Sequence, residues 1–99
     1  MRKWLIISLL GWVMLPPVEY DRPYKGKLTV HYVDPIGMFF NCGIAGACAH
    51  MGGKWCTIYF PTWLKPKSAA FNIRMRHEKG HCNGWPPNHP NPRWVWINT

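Results

Sequence analysis

Acidic residues are scarce: Glu19, Asp21, Asp34 and Glu78 are the only four in 99 residues, against twelve Lys and Arg, and the net charge is +8. Chemistry that needs a carboxylate therefore has few candidates, and none lies beyond Glu78. Charged residues total 16%, well below the roughly 25% of an average soluble domain. The apolar run at the N-terminus, Trp4 to Leu15, has 12 residues, short of the roughly 20 that a membrane-crossing helix needs. No C-x-x-C pair occurs, which argues against a four-thiolate zinc knuckle. No repeat or low-complexity tract is present. Ten Pro and nine Gly exclude a long helical bundle or coiled coil.

What is present fits one small domain. Aromatics reach 15%, with seven Trp, so large rings must do much of the core-filling. Arg2 and Lys3 followed by the apolar run have the shape of a secretory signal over residues 1–18. Because no small-x-small triplet follows Leu15, that segment is either removed or kept as an N-terminal anchor; a buried N-terminal helix is the alternative. Residues 19–99 then form a single domain. Cys42, Cys48, Cys56 and Cys82 are an even set in a small chain and read as two disulfides in an oxidising compartment, with three pairings open. Export to a periplasm or the cell exterior follows as an expectation.

The chain pattern predicts a small α+β domain: a few strands, one central helix and disulfide-stapled loops. Lys27 to Val33 alternates and is rich in β-branched and aromatic residues, as a strand is. Asp34 to Gly37 reads as a turn and Cys42 to Gly53, with four Gly, as a pinned loop. Trp55 to Phe60 reads as a second strand, and Arg93 to Ile97 as a last one. From Ala69 to about Asn83 the period is helical, with Ser68 as N-cap and Gly84 where a C′ glycine belongs. Trp85, Trp94 and Trp96 are expected to pack the lower half.

The segment from Arg76 to Trp85 contains H-E-x-x-H on that helix. Residues i and i+4 share a helical face, so His77 and His81 can offer imidazole nitrogens to one metal ion, Zn²⁺ first among the candidates. Glu78 sits close enough to bond a water at the ion without being a ligand, which is the position of a general base. A glycine at position 80 costs a helix about 1 kcal/mol and calls for a reason, such as close approach of another segment. A catalytic site needs a third protein ligand. No carboxylate is available downstream; Gly84 lets the chain turn back, which makes His89 the candidate. His31, His50 and Asp34 are the upstream alternatives. Cys82 points off the ligand face.

The stretch 77–89, H-E-x-x-H-x-x-G-x-x-x-x-H, resembles the zincin metallopeptidases and, among them, the metzincin branch. It is also similar to small exported bacterial proteins with an H-E-x-G-H-x-N-G-W stretch. The match covers about a seventh of the chain. His89 stands five residues after Gly84, where metzincins place the ligand at three, and no Met follows it to form a methionine turn. The resemblance implies an edge strand ahead of the helix that binds extended substrate, a position Cys56 to Phe60 occupies in the chain. It would also allow Tyr59 to face the cleft, although an ordinary strand aromatic is the simpler role.

The leading functional expectation is a small exported zinc metallohydrolase, a peptidase acting on a cell-wall peptide or envelope protein. His77, His81 and His89 would be its metal ligands and Glu78 its catalytic base. A zinc-stabilised, disulfide-stapled binding module without turnover is the alternative. The basic charge would draw either to an anionic envelope surface. A third reading, a basic protein with incidental histidines, predicts no stoichiometric metal; no specific nucleic-acid partner is expected.

Overall fold

The computed structural model describes residues 10–64 and 66–98. It is an α+β fold with five strands, β1 (Leu10–Leu15), β2 (Lys27–Val33), β3 (Cys48–Met51), β4 (Trp55–Pro61) and β5 (Arg93–Asn98), and two α-helices, α1 (Pro35–Cys42) and α2 (Ala69–Cys82). A single 3-10 turn covers Val18–Tyr20.

β4 is the centre of the three-stranded sheet β2-β4-β3, parallel to β2 and antiparallel to β3. Its alternation sends Cys56, Ile58 and Phe60, all fully buried, toward one face, as the two-residue period of a strand requires. Phe71 and Cys82 of α2 and Leu64 complete that cluster. Fully burying a side chain such as Ile58 or Phe60 stabilises the fold by about 1.5–3 kcal/mol. The Cys56–Cys82 disulfide ties the last residue of α2 to the central strand, and Cys42–Cys48 ties the end of α1 to the start of β3. These are the two bridges expected, with the pairing now fixed.

On another side of α2 lies an antiparallel ribbon of β1 and β5, in register from Leu10 opposite Asn98 to Leu15 opposite Arg93. The second half of the N-terminal apolar run is thus a strand of the fold; residues 1–9 lie outside the described residues. Asp21 joins this arrangement together, bonding through its carboxylate to Arg76 of α2 and Arg93 of β5. The guanidinium hydrogen bonds, Arg76 first, hold the Asp21 carboxyl below its usual range despite partial burial.

Four expectations are corrected. Asp34 to Gly37 is the start of α1, not a turn: the Asp34 carboxylate accepts from the Gly37 amide at 2.7 Å, and Pro35 occupies the first turn, where its missing N–H costs nothing. Cys48 to Met51 leaves the supposed loop as β3, held by the ladder to β4 rather than by its own propensity. β4 is consequently the central strand, and β3 is the edge. Trp94 and Trp96 also differ from expectation: both are about half exposed, on the face of the ribbon that carries the Trp12–Trp96 edge-to-face pair.

Candidate metal centre

Ser68 caps α2 by accepting from the Phe71 amide, and the helix runs from Ala69 to Cys82. Its far end closes in a Schellman arrangement: the Trp85 amide donates to the Gly80 carbonyl at 2.9 Å and the Gly84 amide to that of His81 at 3.0 Å. Gly84 takes φ +110°, a region L side chains rarely adopt. The chain reverses there, which turns residues 85–90 back toward the helix.

Trp85, 1% exposed, is the hub of that return. Its indole N–H donates to the Pro90 carbonyl at 2.8 Å, and the His89 amide donates to the Pro86 carbonyl at 3.0 Å. The loop therefore wraps around the indole. His89 sits at φ +59°, a left-handed conformation that is uncommon for a residue other than Gly and is concentrated at functional positions. The Trp85 ring lies flat on His81, centroids 4.8 Å apart and planes 15° from parallel, and meets His77 and His89 edge-on at 5.0 Å.

The result is a triangle of Nε2 atoms. His77 to His89 is 3.2 Å, His81 to His89 3.1 Å and His77 to His81 3.3 Å. Nδ1 of His77 lies 3.0 Å from the Met14 carbonyl and Nδ1 of His81 2.8 Å from the Trp85 carbonyl. A carbonyl oxygen only accepts, so each Nδ1 carries the hydrogen, and in the neutral ring each Nε2 presents a bare lone pair. Two lone pairs facing each other at 3.3 Å repel unless a cation or proton lies between them. A tetrahedral ion with 2.0–2.1 Å bonds to nitrogen requires ligand atoms about 3.3 Å apart. The triangle fits one face of that tetrahedron, and its outer carbonyl partners are those a metal-bound imidazole usually has. His77, His81 and His89 can therefore hold one metal ion.

Charge reinforces this. Burial, followed by the neighbouring histidines and Arg74, depresses His77 to about 4, against the pull of Met14 in the other direction. Burial likewise lowers His81. The two rings are neutral at pH 7, as ligands must be.

Glu78, 6% exposed, lies beside them. Burial raises its carboxyl to about 7, opposed by Arg74. A cleft of about 620 Å³ opens over the triad. α2 forms its floor through Arg74, His77, Glu78 and His81; β1 forms one wall and the segment from Ala45 to β3 the other.

The structure brings together the three histidines chosen from sequence and leaves the alternatives elsewhere. His31 stacks on Tyr59, His50 Nε2 is 2.7 Å from the Asn41 carbonyl, and Asp34 caps α1. Tyr59 packs between His31 and His50 on β4, away from the cleft lining. Gly80 has the reason its position called for: a Cβ there would lie 2.6 Å from the Pro16 ring. Sequence reasoning missed the Met14 carbonyl, the Trp85 floor and the place of Arg74. The Met14 group is a backbone atom 63 residues from His77 and has no side-chain signature.

No protein-family profile, curated protein or solved structure matches the chain.

Proposed function

We propose that this protein is a small exported zinc metallohydrolase, a peptidase of the zincin type that acts on a peptide of the cell envelope. The observation that carries the proposal is the triangle of three Nε2 atoms, 3.1–3.3 Å on a side, with Glu78 beside it on the floor of an open cleft. Three imidazoles and an open approach are the donor set of a catalytic zinc rather than a closed structural one. When bound, zinc would supply Lewis acidity, polarising a carbonyl and acidifying a water.

The chain's own groups do the rest. The Met14 and Trp85 carbonyls hold His77 and His81 in the tautomer that directs Nε2 inward. Glu78 accepts a proton at its carboxylate and delivers it to the leaving amine; in the metal-free protein burial raises its carboxyl to about 7. β3 pairs with the sheet through one side only and lines the cleft, so its other side is available to an extended peptide. The two disulfides support export, and the charge of +8 supports residence near an anionic envelope surface. Among the described residues no helix is long and apolar enough to cross a membrane.

A non-catalytic zinc module is the second reading, favoured by the packing of all three rings around a buried Trp85. Glu78→Gln separates the two. In the peptidase reading the zinc-loaded variant keeps its metal and loses peptide hydrolysis by at least about 100-fold, as expected for removal of a general base. Wild type and variant that are equally inert toward a broad peptide library, both holding zinc, support the module.

A further inference from the structure

Arg74 differs from Arg76 and Arg93. Arg76 and Arg93 both spend their charge on Asp21. Arg74 has no carboxylate within 4.0 Å and no side-chain hydrogen bond among the described residues, and it lines the cleft. Two relationships locate its guanidinium. A Cβ built on Gly46, in the opposite wall, would lie 3.3 Å from Arg74 Nη1. The sequence places Arg74 three, four and seven residues before His77, Glu78 and His81, which is one continuous stripe of a helix. The guanidinium thus reaches from the helix across the cleft to the 45–47 segment, one turn from the metal ligands.

A cation held half-buried beside a metal site, without a partner of its own, has an unused planar fork of N–H donors. That fork matches a carboxylate in a bidentate pair. Among the described residues the only carboxylate lining the cleft is Glu78, and no salt bridge joins it to Arg74. We infer that Arg74 is a specificity-determining residue that pairs with a carboxylate of the bound ligand, so that the site selects acidic peptides: those with an Asp, Glu or free C-terminal carboxylate one subsite from the metal. This rests on the reading of His77, His81 and His89 as an open metal site. A carboxylate there would meet favourable charge from both Arg74 and the ion, in a protein that is basic overall.

The test uses the full-length, oxidised, zinc-loaded protein and a series of aliphatic monohydroxamates bearing a terminal carboxylate two to six methylenes away, each beside its neutral methyl ester. The hydroxamate reports whether the metal site is open; the carboxylate reports Arg74. At one or two chain lengths the acid should bind about tenfold more tightly than its ester, the advantage expected of a charge-assisted pair. Arg74→Gln should remove that advantage while zinc occupancy stays at wild-type level, and Arg74→Lys should restore part of it. Esters that bind without any gain from the carboxylate, or a gain that survives in Arg74→Gln, overturn the inference and leave the metal site standing. Failure of every hydroxamate to bind the zinc-loaded protein overturns the open site, and the inference with it.

Discussion

Gly80 and Pro16 are in contact across the junction of α2 and the end of β1, so closely that a methyl group at position 80 would sit 2.6 Å from both Cβ and Cγ of the proline. The contact holds the strand carrying Met14 against the helix carrying His77. Gly80→Ala would gain about 1 kcal/mol of helix propensity but must push the proline away, and overpacking of that kind costs about 1–3 kcal/mol. We expect a lower melting temperature and weaker zinc binding together, because the displaced strand also supplies the carbonyl that orients His77. Thermal melts beside zinc titrations check this; an unchanged or raised Tm with unchanged affinity contradicts it.

The same strand makes a prediction about processing. A chain trimmed to residues 19–99 loses β1, and with it Met14 and Pro16, and leaves β5 without its partner. Loss of an outer hydrogen-bond partner weakens a metal site about 10–100-fold. Zinc affinity of the trimmed chain should fall by at least that much. Equal affinity would show that the ribbon is dispensable.

Much of this was legible in the sequence, for identifiable reasons. β2 was readable because alternation and β-branching over 27–33 act locally, and α2 because its cap, period and C′ glycine all agree. The histidine triad was readable because helical spacing fixes two of its members and the shortage of acids narrows the third. α1 was not: its Asp34-Pro35 start resembles a turn, and only the residues that follow distinguish the two. β3 was not, because four residues among glycines and alanines become a strand only through the ladder to β4. The sequence therefore points to Cys56–Phe60 as the edge, one strand too central. Of the ribbon, β5 is legible as a strand over Arg93 to Ile97, but β1 is not, because an apolar run after Arg2 and Lys3 has an export pattern whatever its fold, and its partner lies some eighty residues away.

Trp85 should matter more to the metal than its distance from the ligand atoms suggests. Trp85→Phe keeps most of the ring surface under the histidines but removes the N–H that holds the Pro90 carbonyl. The His89 loop loses an anchor, and zinc affinity should drop about tenfold, in the range of other outer-shell losses. Trp85→Ala empties a fully buried site and should cost about 3–5 kcal/mol of stability. An unaltered zinc affinity in Trp85→Phe contradicts the assignment of the indole as the floor that positions the loop.

The metal-free protein should show two opposed pH dependences. His77 has its pKa depressed to about 4, below the unfolded value of 6.5. Its neutral ring contributes stability above about pH 6.5 that is lost as pH falls through 4. Glu78 has its pKa raised to about 7 from 4.5. Its protonated form contributes stability below about pH 4.5, and this is lost as pH rises through 7. Glu78→Gln cannot ionise, so relative to wild type it should gain stability between pH 4.5 and 8, on the order of 3 kcal/mol. Denaturant unfolding of both proteins, stripped of metal, at pH 4.5 and 8 checks the sign; a difference that is constant with pH contradicts it.

The central claim is a three-histidine metal site, and zinc stoichiometry tests it most directly. Oxidised protein should be stripped and titrated with zinc against a competing chelator, wild type beside His89→Ala and Glu78→Gln. The account predicts one zinc per chain in wild type, the same in Glu78→Gln, and binding weakened by orders of magnitude in His89→Ala. Correctly oxidised wild type that takes up no zinc, or His89→Ala that binds as tightly as wild type, would contradict it.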